Sequence, residues 1–172
     1  AAGSSVNVST TGTGAIDLDG LGALTLSDVD TVNGAITASS AGALTVTDVA
    51  SGTNGNIVLS TSSGDITGLA TVNAGSGNVT LNSAGAIVDD GSSGTVITGG
   101  VLTADAAGGI TIDSTVTSAN ISTSAAGAVD LDETDAITLT DVDTNDGSIT
   151  VDAGGLITAT DVVASGGSGD SV

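Results

Sequence analysis

One short pattern, glycine–small–aliphatic–threonine–aliphatic, returns along this chain and limits what it can fold into. It reads Gly22-Ala23-Leu24-Thr25-Leu26, then Gly34-Ala35-Ile36-Thr37-Ala38 and Gly42-Ala43-Leu44-Thr45-Val46. Further copies are Gly77–Leu81, Gly108–Ile112 and Gly147–Val151, and Asp135–Leu139 keeps all but the glycine. Aliphatic residues two apart with threonine between them make short strands with one face inward and one outward. The leading glycine is expected to supply a turn conformation that a β-carbon resists. Helix is disfavoured by the abundance of Gly, Thr, Val, Ser and Asp, and no stripe with a 3.6-residue period is present.

The glycines mark cycles. Their intervals alternate, 8 from Gly14 to Gly22, 12 to Gly34, 8 to Gly42 and 13 to Gly55. The longer interval holds a third, shorter element around Asp28-Val29 or Asp48-Val49. The cycles 14–33, 34–54, 55–76, 77–107 and 108–126 hold 20, 21, 22, 31 and 19 residues, together 113. Residues 14–49 then return at 127–162 with 20 of 36 positions identical. The expected organisation is one segment, 1–172, with repeat unit 14–126, a next copy from 127 and an enlarged cycle at 77–107. Such a chain reads as part of a longer array.

Cycles of about 20 residues with two to three short strands predict an all-β parallel β-helix, or β-solenoid. Each strand then pairs in parallel with its equivalent one coil away, at ~4.8 Å. Inward columns follow: Ile16, Ile36 and Ile57; Leu18, Ala38 and Leu59; Leu24, Leu44 and Ile66; Val29, Val49 and Val72. The alternative is a tandem β-sandwich module of about 113 residues, two antiparallel layers with larger residues between them.

Composition agrees with narrow columns. The chain has no Phe, Trp, Tyr, Met, Cys, Pro or His, so aliphatics alone fill the interior. With 20 acidic and no Lys or Arg side chains, the formal net charge is −20. No group is present to neutralise phosphate, which argues against nucleic acid and anionic membranes as partners. No apolar run nears the ~20 residues of a membrane span, and no basic n-region precedes an apolar h-region. Without cysteine there is no disulfide and no thiolate chemistry.

The Gly-Ala-Leu-Thr-Val and Gly-Ala-Ile-Thr rhythm over nearly the whole chain resembles the repeat regions of filamentous-haemagglutinin-type adhesins and related giant bacterial surface proteins. That resemblance implies secretion, right-handed parallel β-helices and long fibres. The family's secretion-domain motifs and N-terminal cap have no counterpart in these residues, so an export route does not carry over.

Carboxylates are the candidate chemistry. Asp28 and Asp48 stand one coil apart in the same Ser/Thr-Asp-Val context, and Asp141 and Asp161 repeat the relation. Stacked at about 5 Å, each pair costs ~1 kcal/mol in water and several at an effective dielectric near 20. No basic side chain relieves this. The outcomes are splaying into solvent, tighter proton binding, or a divalent cation. Calcium, a hard ion taking many oxygens, is the natural candidate, with Asp30 and Asp143 completing the sets. No EF-hand pattern is present, and no cofactor is required. Gly166–Asp170 reads as a turn. The pairs Asp17/Asp19, Asp130/Asp132 and Asp89/Asp90 lack the basic and aromatic partners that polysaccharide cleavage uses, so no enzyme is expected.

A last feature is an outward rank of hydroxyls, Thr25, Thr45, Thr138 and Thr158, with Ser27, Thr47, Thr140 and Thr160 two residues on. Flat threonine arrays on solenoids suggest ice binding, while plain β-propensity explains the same residues. The expected function is a structural repeat of an extracellular or cell-surface fibre or adhesin. Its partners would be copies of itself, end to end, and divalent cations.

Overall fold

The structure is a computed structural model and describes residues 3–92, 94, 96–167 and 169–172. Ser93 and Thr95 of the enlarged cycle, and Ser168 of the C-terminal glycine-rich turn, lie outside the described residues. Eighteen strands form one continuous sheet, and every registered pairing between them is parallel. This is a β-solenoid of about eight turns. Two facing antiparallel layers, the sandwich alternative, do not occur among the described residues. No helix there is long and apolar enough to cross a membrane.

The columns read from the sequence are the columns of the fold. Ile16 pairs with Ile36 and Ile36 with Ile57, with Leu18, Ala38 and Leu59 alongside. Leu24, Leu44 and Ile66 form the next column, and Val29, Val49 and Val72 the third. From Leu26 through Leu81 the inward aliphatics are fully buried, Leu26, Ile36, Leu44, Ile57, Leu59 and Leu81 among them. Burying a side chain of this size stabilises by roughly 1.5–3 kcal/mol, so a core one residue deep suffices without aromatics.

Each turn has a narrow and a wide side. The narrow side is one five-residue strand, as in Ile16–Gly20, Ile36–Ser40 and Ile57–Thr61. The wide side is Leu24–Thr31, split on the following turn into Leu44–Val46 and Val49–Ala50. Ser27 is the extra residue of a bulge, since Val6 pairs with Leu26 but Asn7 with Asp28. The bulge resets the in–out alternation, so Leu24, Leu26, Val29 and Thr31 all face the core.

The corners use glycine differently from the sequence expectation. None of the motif glycines Gly22, Gly34, Gly42, Gly77, Gly108 and Gly147 has positive φ; that conformation falls on others, such as Gly64 and Gly75. Most motif glycines serve close stacking. A β-carbon on Gly34 would lie 2.1 Å from the Gly14 carbonyl oxygen, and one on Gly147 2.4 Å from that of Gly127. A hydroxyl before the glycine pins several of these corners. Thr31 Oγ1 donates to the Gly34 carbonyl at 2.8 Å and accepts from Gly34 N at 2.9 Å. Ser51 and Thr144 donate likewise to the carbonyls of Gly55 and Gly147.

The long repeat does not come back to its starting side. Ile16, Ile36, Ile57, Val79, Leu102 and Ala119 form one column, five steps in all. Val129, counterpart of Ile16 in the second copy, comes ten residues after Ala119 and joins another column: Leu24, Leu44, Ile66, Ile87, Ile110, Val129. Five cycles in the sequence therefore make five and a half turns. The cause is local. Ile97 to Ser114 and Leu102 to Ala119 are steps of only 17 residues, because Ile110–Thr123 runs on as one 14-residue strand through what are corners elsewhere.

Candidate functional site

The bulge that resets the wide side also sets out the acidic side chains. Asp28 follows the bulged Ser27, and its Oδ2 accepts a 3.0 Å hydrogen bond from Asn7 Nδ2. Asp30 stands next along the strand and pairs with Ala50, one turn on. Asp48 precedes Val49, the residue paired with Val29, and so lies beside Asp28. All three are half-buried. Partial burial raises the Asp30 carboxyl above the usual aspartate range, with the hydrogen bond and charge of Asp28 and the charge of Asp48 adding to it. Burial, then Asp28, raises Asp48 as well.

The second ledge repeats the first. Thr140 is the bulged residue, since Ala119 pairs with Leu139 and Asn120 with Asp141. Burial raises the Asp143 carboxyl, followed by repulsion from Asp141 and Asp161. Asp143 Oδ1 is screened from solvent and makes no hydrogen bond. Each predicted trio is thus brought together as an electrostatically coupled row. Among the described residues, however, no group of three acidic side chains is arranged to hold a metal ion.

The two ledges lie half a turn apart. Asp143 shares an outward column with Ser122, Asp105, Asn82, Ser60, Ser39 and Asp19. Asp30 shares its column with Ala50, Asn73, Thr98 and Thr115.

A third acidic row escaped the sequence reading. Asp113, Asp132 and Asp152 are in register on three successive turns. Burial raises the Asp113 carboxyl, and Asp89 and Asp132 add repulsion. The available signal was position: Asp19, Asp113, Asp132 and Asp152 each directly follow the second inward residue of their strand. Also unforeseen is Glu133, the chain's one glutamate, which is buried. It stands in the column of Ile97 and Ser114. Its Oε2 accepts from Ser114 Oγ at 2.7 Å and from Val116 N at 3.1 Å.

The hydroxyl ranks do not merge into one flat face. Thr25, Thr45 and Thr67 stack in register. Thr138 stacks on Ser118, on the side half a turn away. The second rank sits at the bulges and turns toward the backbone: Ser27 Oγ donates to the Val6 carbonyl at 2.7 Å, and Thr140 Oγ1 to that of Ala119 at 2.8 Å. Shallow corner grooves are lined by small polar groups, as at Asn82, Asp105 and Ser122, where the space is about 350 Å³.

The chain matches no protein-family model, no curated protein and no solved structure.

Proposed function

We propose that this chain is a structural, non-catalytic repeat segment of an extracellular or cell-surface fibre, in the manner of filamentous-haemagglutinin-type adhesins. The observation that carries this reading is the unbroken parallel ladder. Among the described residues, about eight turns stack over one aliphatic core. Interturn hydrogen bonds running along one axis give a stiff element, and an acidic coat keeps it soluble. End-to-end continuation, through further repeats or a second copy, is part of this reading. Divalent cations, calcium included, would gather at Asp28, Asp30 and Asp48 and at Asp141, Asp143 and Asp161 as a loosely held atmosphere relieving carboxylate repulsion.

Immunogold labelling of intact, unpermeabilised source cells tests the proposal. The expected result is label along thin surface fibres. Bare intact cells, alongside a permeabilised control that labels in its interior, would overturn it.

A further inference from the structure

The chain holds two Asn-Gly dipeptides, Asn33-Gly34 and Asn54-Gly55. Asn-Gly is the dipeptide most open to self-modification. The glycine nitrogen carries no neighbouring β-carbon to block it, and it can reach the asparagine side-chain carbon to close a five-membered ring. The two sites occupy the same corner on successive turns. A β-carbon on Gly55 would lie 2.1 Å from the Gly34 carbonyl oxygen, and Asn54 N donates to Asn33 Oδ1 at 2.9 Å. Both asparagines are exposed.

They differ at the attacking nitrogen. Gly34 N is held by Thr31 Oγ1 at 2.9 Å, and the same hydroxyl grips the Gly34 carbonyl. The turn before Gly55 is one residue longer. Ser51 reaches the Gly55 carbonyl, and Gly55 N makes no hydrogen bond among the described residues. The side-chain carbonyls are alike, Asn33 Oδ1 accepting from Asn54 N and Asn54 Oδ1 from the Ser76 hydroxyl, so the contrast lies at the nitrogen.

We propose that Asn54 is a site of spontaneous deamidation and that Thr31 protects Asn33 from it. Gly55 N attacks Asn54 Cγ, the new C–N bond forms, and the bond to Nδ2 breaks. The side-chain nitrogen leaves as ammonia, carrying the proton lost from Gly55 N. Water then opens the succinimide at either carbonyl, giving aspartate or isoaspartate and one added negative charge. A carboxylate is compatible with this kind of corner, since Asp146 holds the place of Asn33 in the second copy, directly before Gly147. The isoaspartate product adds a backbone methylene within the closely stacked glycine column and marks the age of each rod irreversibly.

The test is a time course of the folded protein in mildly alkaline buffer at body temperature, read residue by residue through peptide mapping and isoaspartate content. Circular dichroism at each point confirms the fold. Asn54 should convert about tenfold faster than Asn33, the effect of one hydrogen bond on the nucleophile. Thr31→Val should bring Asn33 up to the Asn54 rate. Equal or faster conversion of Asn33 in the unmodified chain would overturn the proposal. So would an Asn54 that stays intact in the fold while the urea-unfolded chain converts. Both outcomes are read without any variant.

Discussion

A methyl group placed on Gly55 would lie 2.1 Å from the carbonyl oxygen of Gly34, one turn away. The obstacle is backbone, and backbone in a stacked ladder has nowhere to move. Gly55→Ala should therefore destabilise the rod by ~3 kcal/mol, the upper end of overpacking costs. Gly22→Ala, whose new methyl meets nothing within 4 Å, should stay within about 0.5 kcal/mol of the parent. Urea unfolding of both variants checks the contrast, and equal losses would remove the stacking argument.

Leu59 is fully buried between Ala38 and Leu81. Leu59→Ala should cost about 2–5 kcal/mol, since the neighbouring turns are held by their ladders and cannot collapse into the gap. Leu21, almost wholly exposed at 99%, supplies the control: Leu21→Ala should leave the melting temperature unchanged.

Acid should strengthen this fold. Asp30, Asp48, Asp113 and Asp143 have carboxyls raised above the ordinary aspartate value of 3.8, so each binds its proton more tightly folded than unfolded. The fold consequently gains stability as pH falls from neutral through the raised values, with the gain complete below 3.8. Exposed Asp90, held down by hydrogen bonds from Ser92, opposes this, but solvent screens its contribution. Calorimetry should show a higher melting temperature near pH 4 than at neutrality. A steady decline on acidification would contradict this electrostatic account.

Salt should act in the same direction. With no Lys, Arg or His, every charge pair among the side chains is repulsive. Raising sodium chloride to physiological strength should increase the melting temperature, as the screening length falls to about 8 Å. Calcium at matched ionic strength should add a further increment that Asp28→Asn with Asp141→Asn reduces. Identical melting in calcium and sodium would dispose of the cation reading of these ledges.

Glu133→Ala should cost about 1–3 kcal/mol, because Val116 N is left buried without an acceptor. Neighbouring Asp132→Asn, exposed and in register with Asp113 and Asp152, should be neutral or mildly stabilising. Thermal melts of the pair distinguish a carboxylate that satisfies the backbone from one that merely repels.

The alternating aliphatics were enough to assign Ile16, Leu24 and Val29 to separate columns, because a two-residue period and a twenty-residue cycle each have one physical cause. The bulges at Ser27 and Thr140 were not legible. A bulge is set by how two turns fit, and its residues look like ordinary outward hydroxyls in the sequence. The glycine corners were located correctly but explained wrongly: φ is a local property, while the contact between Gly34 and Gly14 belongs to the stack. The ledges at Asp28 and Asp141 were visible as repeated Asp-Val pairs. The row through Asp113 was legible only by position, since Asp113, Asp132 and Asp152 each follow an inward aliphatic pair at steps of 19 and 20 residues, whereas the 17-residue steps at Ile97 and Leu102 are announced by no motif.

Those same short steps give the molecule a counterbalance. A rod with every acidic ledge on one flank would bow as like charges pushed apart along that side. Because each repeat ends half a revolution from where it began, the ledge at Asp28 is answered by the ledge at Asp141 across the axis. A tandem series built by this rule would approximate a twofold screw, straight on average and equally adhesive or repellent to neighbours on its left and right.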